Sequence, residues 1–239
     1  MNIDFSGRVV VVAGGTGGLG RAISLAFLGE GAKVFVTYRK EEEFLALKNS
    51  AALNLASLEG RQVDVTDESA TAEFISGILA KHGVLDILVN TIGGCAGGVK
   101  LWDMKPAILD NMLALNLRSG YVLVRAVLPS MLKAGRGSIV NIAAKAAIDH
   151  AAGAAAYAAS KAGAVALMDS LAADCTGTGI RVNSILPSII DTAANRQAMP
   201  NADFQKWPKP EDIAQVVLFL SSDAAKTIHG AAMPVYGNG

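Results

Sequence analysis

Residues 9–13, Val-Val-Val-Val-Ala, run straight into Gly14-Gly15-Thr16-Gly17-Gly18-Leu19-Gly20, and this passage restricts the fold more than any other. Consecutive β-branched apolar residues predict a strand buried on both faces, which the glycines cannot continue. Residues 21–28 then resume as an amphipathic helix, and a second strand is expected at 33–38. Strand, glycine-rich turn and helix in this order set backbone N–H groups and the positive end of a helix against a pyrophosphate. A glycine-rich turn without a ligand is the alternative.

The same alternation continues to the end of the chain. Further strands are expected at 60–65, 86–90, 138–143, 180–186 and 232–236, with helices at 41–58, 67–82, 106–134, 157–174 and 210–221. Pro129 is expected to kink or divide the helical region 106–134, and residues 187–208, with three prolines, read as irregular. About seven strands with helices on both faces imply a single-domain α/β fold, a doubly wound parallel sheet over residues 1–239. Ligands of such sheets bind beyond the carboxyl ends of the strands. The long loops 91–103, 144–156 and 187–208 fall there and are read as substrate loops.

Composition excludes several classes. Lys plus Arg equals Asp plus Glu at 21 each, mixed along the chain, so no charge footprint for nucleic acid or a membrane surface appears. No apolar run reaches the ~18 residues of a membrane span, and the first residues lack the basic start of a signal peptide. A cytoplasmic protein is expected, with Cys95 and Cys175 as free thiols. His82, His150 and His229 are too scattered for a metal site.

Chemistry concentrates at Tyr157-x-x-x-Lys161, a phenol and an amine one helical turn apart. A neighbouring ammonium favours the phenolate, so Lys161 is expected to lower the Tyr157 pKa and make it a proton donor and acceptor. Alone, such a pair is usually an exposed surface feature. Downstream of a phosphate-type glycine turn it points to hydride chemistry.

These motifs together resemble the short-chain dehydrogenase/reductase family. The resemblance rests on Gly14-x-x-x-Gly18-Leu19-Gly20, Asp64-Val65, Asn90-Thr91-Ile92-Gly93, Asn116, Tyr157-x-x-x-Lys161, Arg181-Val182-Asn183, and Pro187 followed by Thr192. It implies a Rossmann-type sheet and the following cofactor roles. The turn with Gly14, Thr16, Gly18, Leu19 and Gly20 would hold the pyrophosphate and adenosine ribose. Asp64 would take the adenine amino group, with Val65 against the ring. Asn90 and Gly93 would support the cofactor, and Lys161 would bond the nicotinamide ribose beside Tyr157. Asn116 would hold a water in a proton relay, and Ile190 with Thr192, after Pro187, would meet the carboxamide and phosphates. It also implies a homodimer or homotetramer.

Departures from the family pattern narrow the reading. Thirteen residues before Tyr157, where the family usually has a serine to polarise a carbonyl, stands Ala144, and residues 143–156 contain no Ser or Thr. The pocket loops, through 93–98, 144–149 and 186–207, resemble one branch of the family, the quinonoid dihydropteridine reductases, which share that alanine. A reductase of a small planar substrate, with a quinonoid dihydropteridine as the candidate, is therefore expected. A ketone or 3-oxoacyl reductase and a non-catalytic NADP(H) sensor stand as alternatives. Tyr38-Arg39-Lys40 ends the second strand with an aromatic face and two cations but no carboxylate for a ribose 2′-OH, so NADP(H) is preferred over NAD(H). Gly17, where other NADP enzymes of the family place a base, weighs the other way. Arg39 and Lys40 could also be solvated or paired with Glu41–Glu43.

Overall fold

In the computed structural model, residues 3–51 and 55–238 are described. β1 (Val9–Ala13) divides its side chains between two cores, which is what an unbroken apolar strand requires. Val10 and Val12 enter one cluster with Ile23 and Phe27 of α1 (Gly18–Gly29) and Val217 of α8 (Pro210–Ser221). Val9 and Val11 enter the other with Ile75 of α3 (Glu68–His82), Leu123 of α5 (Ser119–Ala134) and Met168 of α6 (Ala155–Asp174).

Seven strands form one parallel sheet in the order β3-β2-β1-β4-β5-β6-β7: β2 Lys33–Tyr38, β3 Leu58–Gln62, β4 Ile87–Asn90, β5 Gly137–Ile142, β6 Ile180–Pro187 and β7 Ala232–Val235. The order reverses between β1 and β4, so a crevice opens beyond their carboxyl ends. Pro234, with no N–H to donate, is tolerated because β7 is an edge strand.

Four expectations need correction. α2 (Glu41–Ser50) stops short of Leu58; residues 52–54 lie outside the described residues, and Leu55–Ser57 is a single 3₁₀ turn. β3 starts at Leu58, two residues before the expected strand, and ends at Gln62. The reason is packing: Gly60 pairs with Val36, and a Cβ there would lie 2.4 Å from the Phe44 ring. The helical region 106–134 is divided not at Pro129 but at a π-turn, Ala114–Arg118, between α4 (Pro106–Leu113) and α5. Pro129 lies on an exposed side of α5, where water can satisfy the carbonyl it leaves unbonded. The 187–208 segment is not wholly irregular: Thr192 caps α7 (Ala193–Ala198) by accepting a bond from the Asn195 amide.

Leu88 is fully buried in β4. Leu88→Ala is expected to cost about 2–5 kcal/mol of stability by leaving a cavity, read as a lower urea midpoint with an unchanged slope.

Candidate active site

The glycine turn is shaped by close backbone approaches. Gly14 takes φ +76°, a conformation that other residues resist, and its N–H donates to Thr37 Oγ1 at 2.9 Å. A Cβ on Gly20 would lie 2.1 Å from the Gly14 carbonyl oxygen, so the helix can start this close to the strand only with glycine. α1 begins after Gly17 with no side-chain cap. Its first N–H groups and positive end are therefore presented to whatever occupies the crevice.

Beside this turn lies a cleft of about 250 Å³. Seven residues singled out from the sequence line it: Gly14, Thr16, Tyr38, Arg39, Asp64, Val65 and Gly93. Its features fit a dinucleotide, namely a glycine cradle, an uncapped helix start, an apolar residue at Val65 and a carboxylate at Asp64. One Asp64 oxygen accepts from the Thr66 amide and hydroxyl at 3.0 and 2.7 Å, and these bonds hold its pKa below the usual carboxylate value. Tyr38 contributes less of its face than expected. Its ring stacks on Phe44, 4.8 Å between centroids, and its hydroxyl donates to Glu41, which raises the phenol pKa. Arg39 makes no side-chain hydrogen bond or ion pair among the described residues, whereas Lys40 lies 3.9 Å from Glu43.

The remaining predicted residues divide into two groups. The buried Asn90 turns inward: its amide donates to Asn141 at 2.9 Å and its carbonyl accepts from the Ile92 amide at 3.1 Å. Pro187 ends β6, Ile190 lends its carbonyl to Asn195, and Thr192 folds against the glycine turn. A Cβ at Gly18 would come within 2.9 Å of the Thr192 methyl. Leu19 is buried in the α1 core.

The second group surrounds Tyr157. Lys161 is 6% exposed, and its Nζ donates to the Ile142 carbonyl at 3.1 Å. Gly93 passes so close that a Cβ would lie 3.0 Å from Lys161 Nζ and 2.8 Å from Asn116 Oδ1. Asn116 pins the loop after β4. Its Oδ1 accepts from the Gly94 amide at 2.9 Å, and its Nδ2 donates to the Gly94 carbonyl at 3.0 Å. The same amide donates to Ser160 Oγ at 2.9 Å, joining the π-turn to the helix that carries Tyr157 and Lys161. Ser160 was missed in the sequence because only its place between Tyr157 and Lys161 marks it.

The Tyr157 pKa, expected from the spacing to Lys161 to fall, is instead raised in the structure. Burial, and secondarily the Cys95 thiol, push the Tyr157 hydroxyl up to about 12. Burial also brings Lys161 down to about 8, partly opposed by Cys95. Desolvation dominates both shifts because both groups sit away from water. Ala144 is buried at the start of the 3₁₀ turn Lys145–Ala147 and brings no donor. The His150 ring turns to the Ala147 carbonyl of its own loop, and the Ser188 hydroxyl donates to the Tyr236 carbonyl. Trp102 is 81% exposed, and Trp207 packs on Phe204.

The chain is similar to known proteins over nearly its whole length. A family model described as short chain dehydrogenase matches residues 8–203. The 3-oxoacyl-[acyl-carrier-protein] reductase FabG of Thermotoga maritima is 31% identical, over 97% of each chain. D-threitol dehydrogenase of Mycolicibacterium smegmatis is 33% identical over 99% of this chain and 96% of its own. The solved structure titled ElxO with NADP bound superposes with a TM-score of 0.90 at 25% identity, over 96% of this chain and 97% of that one.

The buried lysine has a consequence for stability. Its pKa is lower folded than unfolded, so between about pH 8 and 10.5 the unfolded chain binds more protons and stability rises with pH. Lys161→Met is expected to remove that slope. At pH 7 it should stabilise the fold by on the order of 2 kcal/mol, net of the lost bond to Ile142, in thermal melts across pH.

Proposed function

Because the chain belongs to the short-chain dehydrogenase family and is an oxidoreductase of that family, we propose that it is an NADPH-dependent reductase of a small planar substrate, with a quinonoid dihydropteridine as the leading candidate. The observation that carries the substrate class is Ala144, a buried methyl where the family usually has a carbonyl-polarising hydroxyl. An oxyanion transition state loses about 10²–10³ in rate without one such donor. An imine conjugated through a ring spreads its charge and needs the donor less.

A bound reduced nicotinamide dinucleotide would supply the hydride. The chain's own residues do the rest. The N–H groups at the start of α1 meet the pyrophosphate, and Asp64 and Val65 receive the adenine. Arg39, which makes no side-chain hydrogen bond or ion pair among the described residues and only attracts Asp64 at longer range, takes the 2′-phosphate through its guanidinium fork, which supports NADP(H). Lys161, steered by the Ile142 carbonyl, bonds the nicotinamide ribose and sets its positive charge near Tyr157. The Tyr157 hydroxyl gives its proton to the acceptor nitrogen, and Asn116 holds the Gly94 loop and a relay water at the floor of the site. Loops 91–103, 144–156 and 187–208 form the substrate walls. Support comes from the first two meeting at Gly98 and Gly153, where a Cβ on Gly153 would lie 3.4 Å from the Gly98 backbone.

A second reading, reduction of a ketone or 3-oxoacyl group, is favoured by the likeness to the Thermotoga maritima reductase. Turnover of NADPH with quinonoid dihydropterin and with 3-oxoacyl thioesters separates the two. The proposal expects pterin-dependent NADPH oxidation, a loss of about 10²–10⁴ in kcat/KM for Tyr157→Phe, and little change for Ala144→Ser. If Ala144→Ser raises ketone turnover while the pterin is inert, the second reading takes its place. Tight NADPH binding with no turnover of either substrate class would favour a sensor.

A further inference from the structure

The end of β2 offers no carboxylate, but the fold delivers one from elsewhere. Glu43, in the first turn of α2 (Glu41–Ser50), lines the same cleft as Arg39, Lys40 and Thr16. Its Oε2 accepts from the Thr16 hydroxyl at 3.1 Å, bridging 27 residues from helix to glycine turn, while its Oε1 lies 3.9 Å from Lys40 Nζ. Glu41 is turned away onto the Tyr38 hydroxyl, so these two acids do different work. Glu43 is half-buried and set between the turn and Lys40, in the cleft that Arg39 also lines. A ribose 2′ substituent lies between the end of the second strand and the glycine turn in this class of fold.

On the reading that this cleft takes a nicotinamide dinucleotide, we propose that Glu43 sets cofactor choice, as a carboxylate latch between Thr16 and Lys40. A 2′-hydroxyl can donate to the latched carboxylate. A 2′-phosphate meets a like charge, must displace Glu43 from both partners, and then recruits Lys40 alongside Arg39. The carboxylate therefore restrains the preference for NADPH that the two cations create, and the chain accepts both cofactors.

Glu43→Gln tests this, since the amide keeps an acceptor for Thr16 and removes only the charge. Kd values for NADPH and NADH are measured by titration at low and high salt, alongside KM and kcat with each cofactor. The ratio of kcat/KM for NADPH over NADH is expected to rise about five- to tenfold, through tighter NADPH binding. The gain should shrink at high salt, because it is a charge effect at a half-exposed site, and kcat should hardly change. A ratio unmoved within twofold, with both cofactors still bound, overturns the role of Glu43 and leaves the dinucleotide reading standing. Failure of the unmutated protein to bind either nucleotide overturns that reading and this inference together.

Discussion

The molecule depends on how closely two backbone segments pass: a Cβ on Gly20 would come within 2.1 Å of the Gly14 carbonyl. Because neither position carries a side chain, α1 starts immediately beyond β1 and against it. That contact aims the uncapped end of the helix at the crevice where the strand order reverses, between β1 and β4. The valines of β1 fix the rest of the sandwich by feeding both apolar clusters. A chain this apolar is held by burial on the order of 1.5–3 kcal/mol per large side chain, so the polar groups inside are present at a cost.

Those polar groups form the site. Lys161 is held nearly out of water by one carbonyl, and Asn116 satisfies both backbone groups of Gly94 while also reaching Ser160. Buried polar groups satisfied in this way hold their neighbours in one arrangement. The π-turn at Ala114–Arg118 is the backbone adjustment that lets Asn116 point at the loop and at α6 together. Burial moves the pKa values of Tyr157 and Lys161 in opposite directions, a pattern that clusters where proton transfer is needed.

Much of this is legible from sequence, for identifiable reasons. The β1 strand and glycine turn are local signals, and Tyr157 and Lys161 share a helix face because four residues make about one turn. Asp67 capping α3 and Pro210 opening α8 follow from residue chemistry alone. What escapes the sequence depends on partners distant along the chain. The break at Asn116 has no glycine or proline to announce it, whereas Pro129, the residue that suggests a break, is absorbed at an exposed position. The early start of β3 depends on the Phe44 ring lying over Gly60. Glu43 reads as an ordinary acid in a helix's first turn until folding brings it to Thr16. The upward shift of the Tyr157 pKa escapes the sequence because spacing reveals proximity but not burial.

The most direct test of the account is a crystal structure of the protein grown with NADP⁺. The pyrophosphate is predicted to rest on the amides at the start of α1, with Lys161 Nζ on the nicotinamide ribose. The Tyr157 hydroxyl should face the hydride-bearing carbon, with room for an acceptor atom at about 3–3.5 Å from it. A nucleotide bound away from the 14–20 turn, or a Tyr157 hydroxyl walled off from the nicotinamide ring, would contradict it.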